Sequence, residues 1–437
     1  MKKLIPVLSL LLLLSSCANG AGSFSSASSS LAPDILEAHR KVPVFNFYTN
    51  GQVIPDRDDD NYEEYLSAKA TYQDPLSYFI DENFKVRVRG TSSRYFDKKG
   101  YKLSFSENRK LMTLPSNKKY NLLASYMDPC KLRDYLALRI SYSMNTLSDR
   151  YASDVLLSKL FIDDQYKGLY FLTDNVAAYG GRIPLDDIGA NENQCSFVLE
   201  MDTIANRYGI EGKDYFRLGT TDVFDYEHKG YADLYYQIDT PKQVSEERFN
   251  FIQGYITDCR ELLVNKDLEG FKNKVDVDAF IDYFVLCELF RNTDAAGRSV
   301  YMYLPTVNGK LIFGPSWDFD YSCSRPYQLG PNQDYRLDNA KDRFYNYDWW
   351  KLFLEIDGSV DLIKNRYTSF LRNIFIDEIE MSKSFFNTYS ALILEDASIW
   401  YSSKVNDTEK LVLDNFNWTS TYFSLRMEMM DELFLLK

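Results

Sequence analysis

The sequence predicts an α+β chain of two lobes, strand-rich at first and mainly helical afterwards. Three observations carry the prediction. Apolar and polar residues alternate with period two in the first half, as in Phe84-Lys85-Val86-Arg87-Val88-Arg89. Helical patterns dominate from Phe249 onward. One strand hairpin, turning at Asn308-Gly309, interrupts them. The 437 residues are 45% hydrophobic and 16% aromatic, ample for a core of that size.

Met1-Lys2-Lys3 followed by Leu4 to Leu14 reads as a positive n-region and an apolar h-region, too short to span a bilayer. Leu14-Ser15-Ser16-Cys17 resembles a bacterial lipoprotein signal over residues 1–17, with Cys17 as the lipidated residue. An ordinary secretory signal cut near Ala18 to Ala21 is the alternative. Residues 18–40 then read as a flexible Ser/Gly-rich tether and 41–437 as the folded domain, with an N-lobe of about 41–190 and a C-lobe of about 191–437. The expected location is extracytoplasmic, lipid-anchored to the bacterial membrane or envelope, with membrane contact through the N-terminal lipid only.

Within the domain, Val42 to Phe47 reads as a strand, Asp56 to Asp60 as an acidic turn, Phe84 to Arg89 as a half-buried strand and Tyr101 to Phe105 as its return. Asp128-Pro129 offers an N-cap and a first-turn proline to a helix whose apolar face is Leu132, Leu136 and Ile140. Val155 to Asp163 and Gly168 to Leu172 flank a turn at Asp164-Gln165. Ser196 to Glu200 and Tyr235 to Ile238 are strands; Phe249 to Leu263 and Val277 to Phe290 are helices. The last of these is apolar on most faces, runs through the core and delivers Arg291 to Asp294 at its C-terminal end. The lobe boundary falls between Asn175 and Asp202.

The net charge of −13 argues against nucleic-acid binding and leaves room for a basic protein partner. With two histidines only, His39 and His228, a His-rich zinc site is nearly excluded, and a Ser-His-Asp or Cys-His nucleophile would have to use His228. Carboxylates with Lys and Arg remain as catalytic groups, which suits phosphoryl transfer or glycoside hydrolysis. Five cysteines besides Cys17 show no metal-type spacing, and their pairing is open.

The segment Arg291 to Asp320 is the most informative. It carries Asp294, then Ser299, an apolar strand, a turn, a second strand, and Asp318 with Asp320. If the second strand continues, Asp318 and Asp320 face one side. Such oxygen ligands suit Mg²⁺ or Mn²⁺. Arg89-Gly90-Thr91-Ser92-Ser93 is a candidate phosphate cradle, since glycine permits close backbone approach and hydroxyls donate to phosphate oxygens; a solvated hairpin turn is the plainer reading. Lys98, Lys99 and Lys102 follow, and Lys102 alternates with Tyr101 and Leu103. Arg133 is set near Asp128 in the same stretch.

Together these segments resemble the CotH family, the spore coat protein H type of atypical protein kinase-like proteins. The resemblance rests on R-G-T-S-S-R-Y-F-D-K-K-G-Y-K-L (89–103), Y-N-L-L-A-S-Y-M-D-P-C-K-L-R-D (120–134), G-L-Y-F-L-T-D-N-V (168–176), F-V-L-E-M-D (197–202), N-T-D (292–294) and W-D-F-D (317–320). It implies a two-lobed protein-kinase-like fold, ATP with Mg²⁺ or Mn²⁺, and phosphorylation of Ser or Thr in an exported or surface protein. It further implies phosphate contacts from Arg89, Gly90, Ser92, Ser93 and Lys98 or Lys102. Asp294 would be the catalytic aspartate, and Asp318, Ser299 and Asp320 would hold metal. The sequence departs from the family at Thr91 (usually Asn), Asp174 (usually Glu) and Ser299 (usually Asn). Two rival readings stand beside it: a non-catalytic envelope lipoprotein binding a surface protein or polysaccharide, and a glycosidase using two of Asp294, Asp318 and Asp320.

Overall fold

The computed structural model describes residues 32–56, 64–90, 93–189, 192–202, 209–225, 230–292, 297–319, 322–323 and 348–435. Helix α1 (Pro33–Arg40), in the stretch expected as tether, packs its buried His39 on the later helix α8 (Arg372–Tyr401): Nε2 lies 2.8 Å from the Thr388 carbonyl.

Seven strands follow: β1 (Val44–Tyr48), β2 (Leu66–Gln73), β3 (Tyr78–Arg89), β4 (Gly100–Arg109), β5 (Asn117–Leu123), β6 (Val155–Ile162) and β7 (Gln165–Asp174). They form a closed barrel in the order β1-β2-β3-β4-β5-β7-β6. Neighbours are antiparallel except β1 and β6, which pair in parallel (Val44↔Lys159) and seal it. Alternation sends Phe45, Phe47, Phe84, Val86, Val88, Leu103 and Tyr120 into the barrel, where they are buried. At the β6–β7 turn Asp163 and Asp164 both take positive φ (47° and 62°), the backbone that a two-residue hairpin requires.

Helix α2 (Arg133–Thr146) lies between β5 and β6. It does not begin at Asp128-Pro129. Lys131 turns through φ 60°, Leu132 holds the N-cap position, and the Asp128 carboxylate accepts the Arg133 backbone N–H at 2.7 Å from outside the helix. Leu136 and Ile140 are buried as expected.

The rest of the chain supplies β8 (Phe197–Asp202), β9 (Tyr215–Asp225), β10 (Gly230–Thr240), α3 (Glu246–Val264), α4 (Leu268–Lys274), α5 (Val277–Phe290), β11 (Val300–Leu304), β12 (Ile312–Phe313), α6 (Asp348–Leu354), α7 (Ser359–Arg366), α8, and α9 (Thr408–Leu435). The strands form a second sheet, ordered β12-β11-β8-β10-β9. Helix α5 is the centre of the largest core; from Ala279 to Phe290 every residue is buried.

The molecule is α+β, but the expected two-lobed kinase arrangement is overturned. The first half is a closed barrel rather than an open lobe sheet, and the second half is built on a five-stranded sheet as much as on helices. The physical reason is non-local. Closure depends on β1 meeting β6, and residue alternation is the same in an open and a closed sheet.

Candidate functional site

Ile183, in the segment between β7 and β8, packs with Val198 of β8 and Tyr303 of β11 in a small apolar cluster. Beside it lie two faces of opposite charge. On the barrel, Val86 and Val88 point inward, so Arg87 and Arg89 point outward. Arg87 pairs across with Lys102, which therefore joins them. Burial pushes the Lys102 ammonium down to about 8; Arg87 and Arg89 add repulsion, and Asp239 on β10 opposes them. Among the described residues Lys102 makes no hydrogen bond or ion pair.

On the second sheet, Glu200 and Asp202 alternate on β8, and Tyr301 of β11 stands opposite Glu200. Burial pushes Glu200 up to about 8. Asp202 adds to the effect, the Tyr301 side chain hydrogen-bonds the carboxyl, and Asp239 and Asp318 contribute negative charge. The Arg89 guanidinium lies 5.2 Å from the Trp317 ring, a cation–π contact that links the barrel to the segment after β12.

That segment is not a continued strand. β12 ends at Phe313, and Asp318 takes φ 63°. The alternate-face argument for Asp318 and Asp320 therefore fails. Phe319 is instead buried against Phe290 with ring centroids 5.4 Å apart, while Asp318 is exposed. Ser299, also at positive φ (54°), donates from Oγ to Asp318 Oδ2 at 3.3 Å. Asn292, at the end of α5, donates to the Asp318 carbonyl at 3.2 Å. The structure thus brings Ser299 and Asp318 together. Asp294 and Asp320 lie outside the described residues, as do Thr91, Ser92 and Cys17.

A carboxyl that the sequence reading did not single out lies nearby. Asp134, near the start of α2, is buried, accepts a hydrogen bond from the Ser125 hydroxyl, and is pushed up to about 6, first by burial and then by Asp128 and Asp318. Its neighbour Arg133 is buried too and donates to the carbonyls of Met127 and Ser322, so it holds the chain just beyond Asp318.

Gly90 has φ 99°, and a Cβ there would lie 2.0 Å from Ser93 Oγ, so the Ser93 hydroxyl folds over the glycine. The three lysines that follow have separate fates. Lys98 is fully buried away from solvent, with Nζ 2.6 Å from both Asp396 Oδ1 and the Leu169 carbonyl. Two of its three N–H donors are thus taken inside the fold, away from the outer barrel face that carries Lys102. Lys99 pairs with Asp56 at 3.0 Å. Only Lys102 of the three lies on the face with Arg87 and Arg89.

Among the described residues no three His, Cys, Asp or Glu side chains converge on one point. Asp318 with Ser299 is a two-donor oxygen site. That fits Mg²⁺, which keeps several waters and takes one or two carboxylates together with substrate phosphate oxygens.

Residues 86–430 match the family described as CotH kinase protein. The chain belongs to that family. No curated protein matches it. The CotH kinase match runs from the last residues of β3 into α9, so both charged faces and the Asp318 segment lie within it. Of the positions where this CotH chain departs from the family pattern, Asp174 is buried and bound by Arg182 and by the Tyr151 hydroxyl at 2.9 Å. Ser299 has Asp318 as its partner.

Lys102 would make the affinity of this face of the CotH chain for a phosphate pH-dependent. Its ammonium is charged below about 8 and neutral above, while Glu200 becomes an anion over the same range. Both changes disfavour a phosphate. ATP affinity should fall several-fold between pH 7 and 9, by titration calorimetry, and Lys102→Arg should flatten the curve because guanidinium stays charged. A wild-type curve already flat would remove Lys102 from the site.

Proposed function

We propose that this CotH-family chain is a metal-dependent protein Ser/Thr kinase that uses ATP and acts on an exported or surface protein of basic character. The single observation that supports it best is the opposition of Arg87, Arg89 and Lys102 on the barrel to Asp318, Ser299 and the Glu200–Asp202 pair. Phosphoryl transfer asks for little else: cations for the phosphates, oxygen ligands for a metal, and a group to orient the attacking hydroxyl.

In this reading Arg89 and Lys102 hold the phosphate chain, with Gly90 and Ser93 approaching it by backbone and hydroxyl. Asp318, Ser299 and Asp320 hold Mg²⁺ or Mn²⁺, which when bound neutralises phosphate oxygens. Asp294 orients the acceptor hydroxyl and receives its proton. Arg133 fixes the chain just beyond Asp318 from the side of α2. Lys98 is left out, because Asp396 engages it. Residues 1–17 are the export signal, and Cys17 carries the lipid.

Incubation with labelled ATP and Mg²⁺ or Mn²⁺ tests the reading through self-labelling. In a melting experiment, ATP with Mg²⁺ at a hundredfold over Kd should add about 2.7 kcal/mol of stability and raise Tm by about 3 °C. No shift with either metal favours the second reading, a non-catalytic envelope lipoprotein, for which Ser299 is the supporting observation. Serine is a neutral, shorter ligand than the asparagine usual in the family. Ser299→Asn should therefore raise the labelling rate about tenfold with Mg²⁺, or about 1.4 kcal/mol in the barrier. An unchanged rate would show that Ser299 does not limit metal binding.

A further inference from the structure

One end of the barrel carries exposed apolar side chains with no role in the site. The β2–β3 turn is held rigidly: Asp74 Oδ1 accepts the backbone N–H groups of Leu76 and Ser77, each at 2.6 Å, and Oδ2 accepts the Tyr72 hydroxyl at 2.7 Å. Leu76 at its tip is 83% exposed, Tyr78 62% and Ile80 43%. Tyr78 and Ile80 are alternate residues of β3, so they share its outer face. Exposed Lys110 follows the end of β4, where Arg109 lies 4.4 Å from the Phe79 ring.

The register shows which end this is. Val44 pairs with Gln73, and Gln73 with Tyr78, so the chain enters the barrel from α1 at the level of the apolar turn. Arg89 and Gly90 lie at the other end of β3, a strand of 12 residues and so about 40 Å away. Cys17 precedes Ala32 by fifteen residues, a reach of at most about 50 Å. A lipid on Cys17 would bring this end of the barrel within reach of the bilayer.

We propose that the β2–β3 turn is a membrane-contact element: Leu76, Tyr78 and Ile80 enter the headgroup boundary of the bilayer that holds the lipidated N-terminus, with Lys110 beside anionic headgroups. This rests on the lipoprotein reading of Cys17. Tyr carries an apolar ring and a polar tip, which suits that boundary, and a second weak contact adds to a single lipid anchor.

The test uses the lipidated full chain carrying Leu76→Cys, labelled with an environment-sensitive fluorophore. The five cysteines beyond Cys17 are buried, so labelling is confined to the new site. Val53→Cys is the control: Val53 is 82% exposed and follows the opposite end of β1. With vesicles of phosphatidylethanolamine and phosphatidylglycerol that the protein floats with, emission at position 76 should rise several-fold and shift to the blue, while position 53 stays unchanged. Co-flotation with no response at 76, or an equal response at 53, overturns the contact and leaves the anchor intact. Failure to float, with no lipid on Cys17 by mass spectrometry, overturns the anchor and the contact with it.

Discussion

Asp318→Ala should lower phosphoryl transfer at least a thousandfold, about 4 kcal/mol in the barrier, with the fold unchanged. The side chain is exposed, and among the described residues its hydrogen-bond partner is Ser299 Oγ, so truncation leaves no buried group unpaired. The backbone at residue 318 stays held, because Asn292 bonds the carbonyl rather than the carboxylate, and Phe319 remains buried on Phe290. The measurement is transfer of label from ATP with Mg²⁺, alongside melting of the nucleotide-free protein. Loss of transfer with an unchanged Tm is the expected outcome. Equal transfer by the variant would remove Asp318 from the chemistry and the kinase reading with it.

Asp396→Ala should be the most destabilising single change, costing about 3–5 kcal/mol, because it strands buried charge. Asp396 Oδ1 takes Lys98 at 2.6 Å and Oδ2 takes Lys131 at 3.2 Å, and all three side chains are almost wholly buried. Burial opposes the charge on Asp396, yet the two lysines overcome it and hold the carboxyl below its usual range. Burial pushes Lys98 down to about 7, with Asp396 pulling the other way. The carboxylate also accepts the Leu169 N–H at 2.9 Å, and Gly168 lets it approach, since a Cβ there would meet Oδ1 at 2.1 Å. The triad thereby docks α8 on β7 and on the segment before α2. Urea unfolding measures the cost. Lys98→Met should be less harmful in the Asp396→Ala background than in the wild type, since it then removes a charge already unpaired. Purely additive costs would mean the buried groups do not act together.

Local pattern accounts for what the sequence made legible. Helix α5 runs Val277–Phe290 as expected, because Asp276 caps it through the Ala279 N–H and its apolar residues leave no exposed face. The β11–β12 and β6–β7 hairpins form as expected, but their turns are displaced: the first closes between Thr306 and Gly309, and the second turns at Asp163-Asp164 rather than Asp164-Gln165. The helix start at Asp128 misled because a carboxylate can cap at a distance, across the turn that Lys131 makes. Of the two candidate lysines, Lys102 carried a phase: buried Tyr101 and Leu103 flank it, so it must face out. Lys98 precedes β4 and had none. Glu200 and Asp202 were visible as alternating acids in F-V-L-E-M-D, but the nearness of Glu200 to Asp239 and Asp318 depends on how distant segments pack, which no local spacing encodes.

The β1–β6 seam has a consequence for biogenesis. Val44 cannot find Lys159 until most of the first half of the chain has been delivered. A polypeptide threaded through a translocase with its N-terminus leading would present β1 long before its partner arrives. Such late, long-range pairing slows folding and leaves strand edges open to wrong partners. The waiting hairpins would call for a holdase on the far side, and shortening the chain past Val44 would unzip two neighbours at once, β2 and β6.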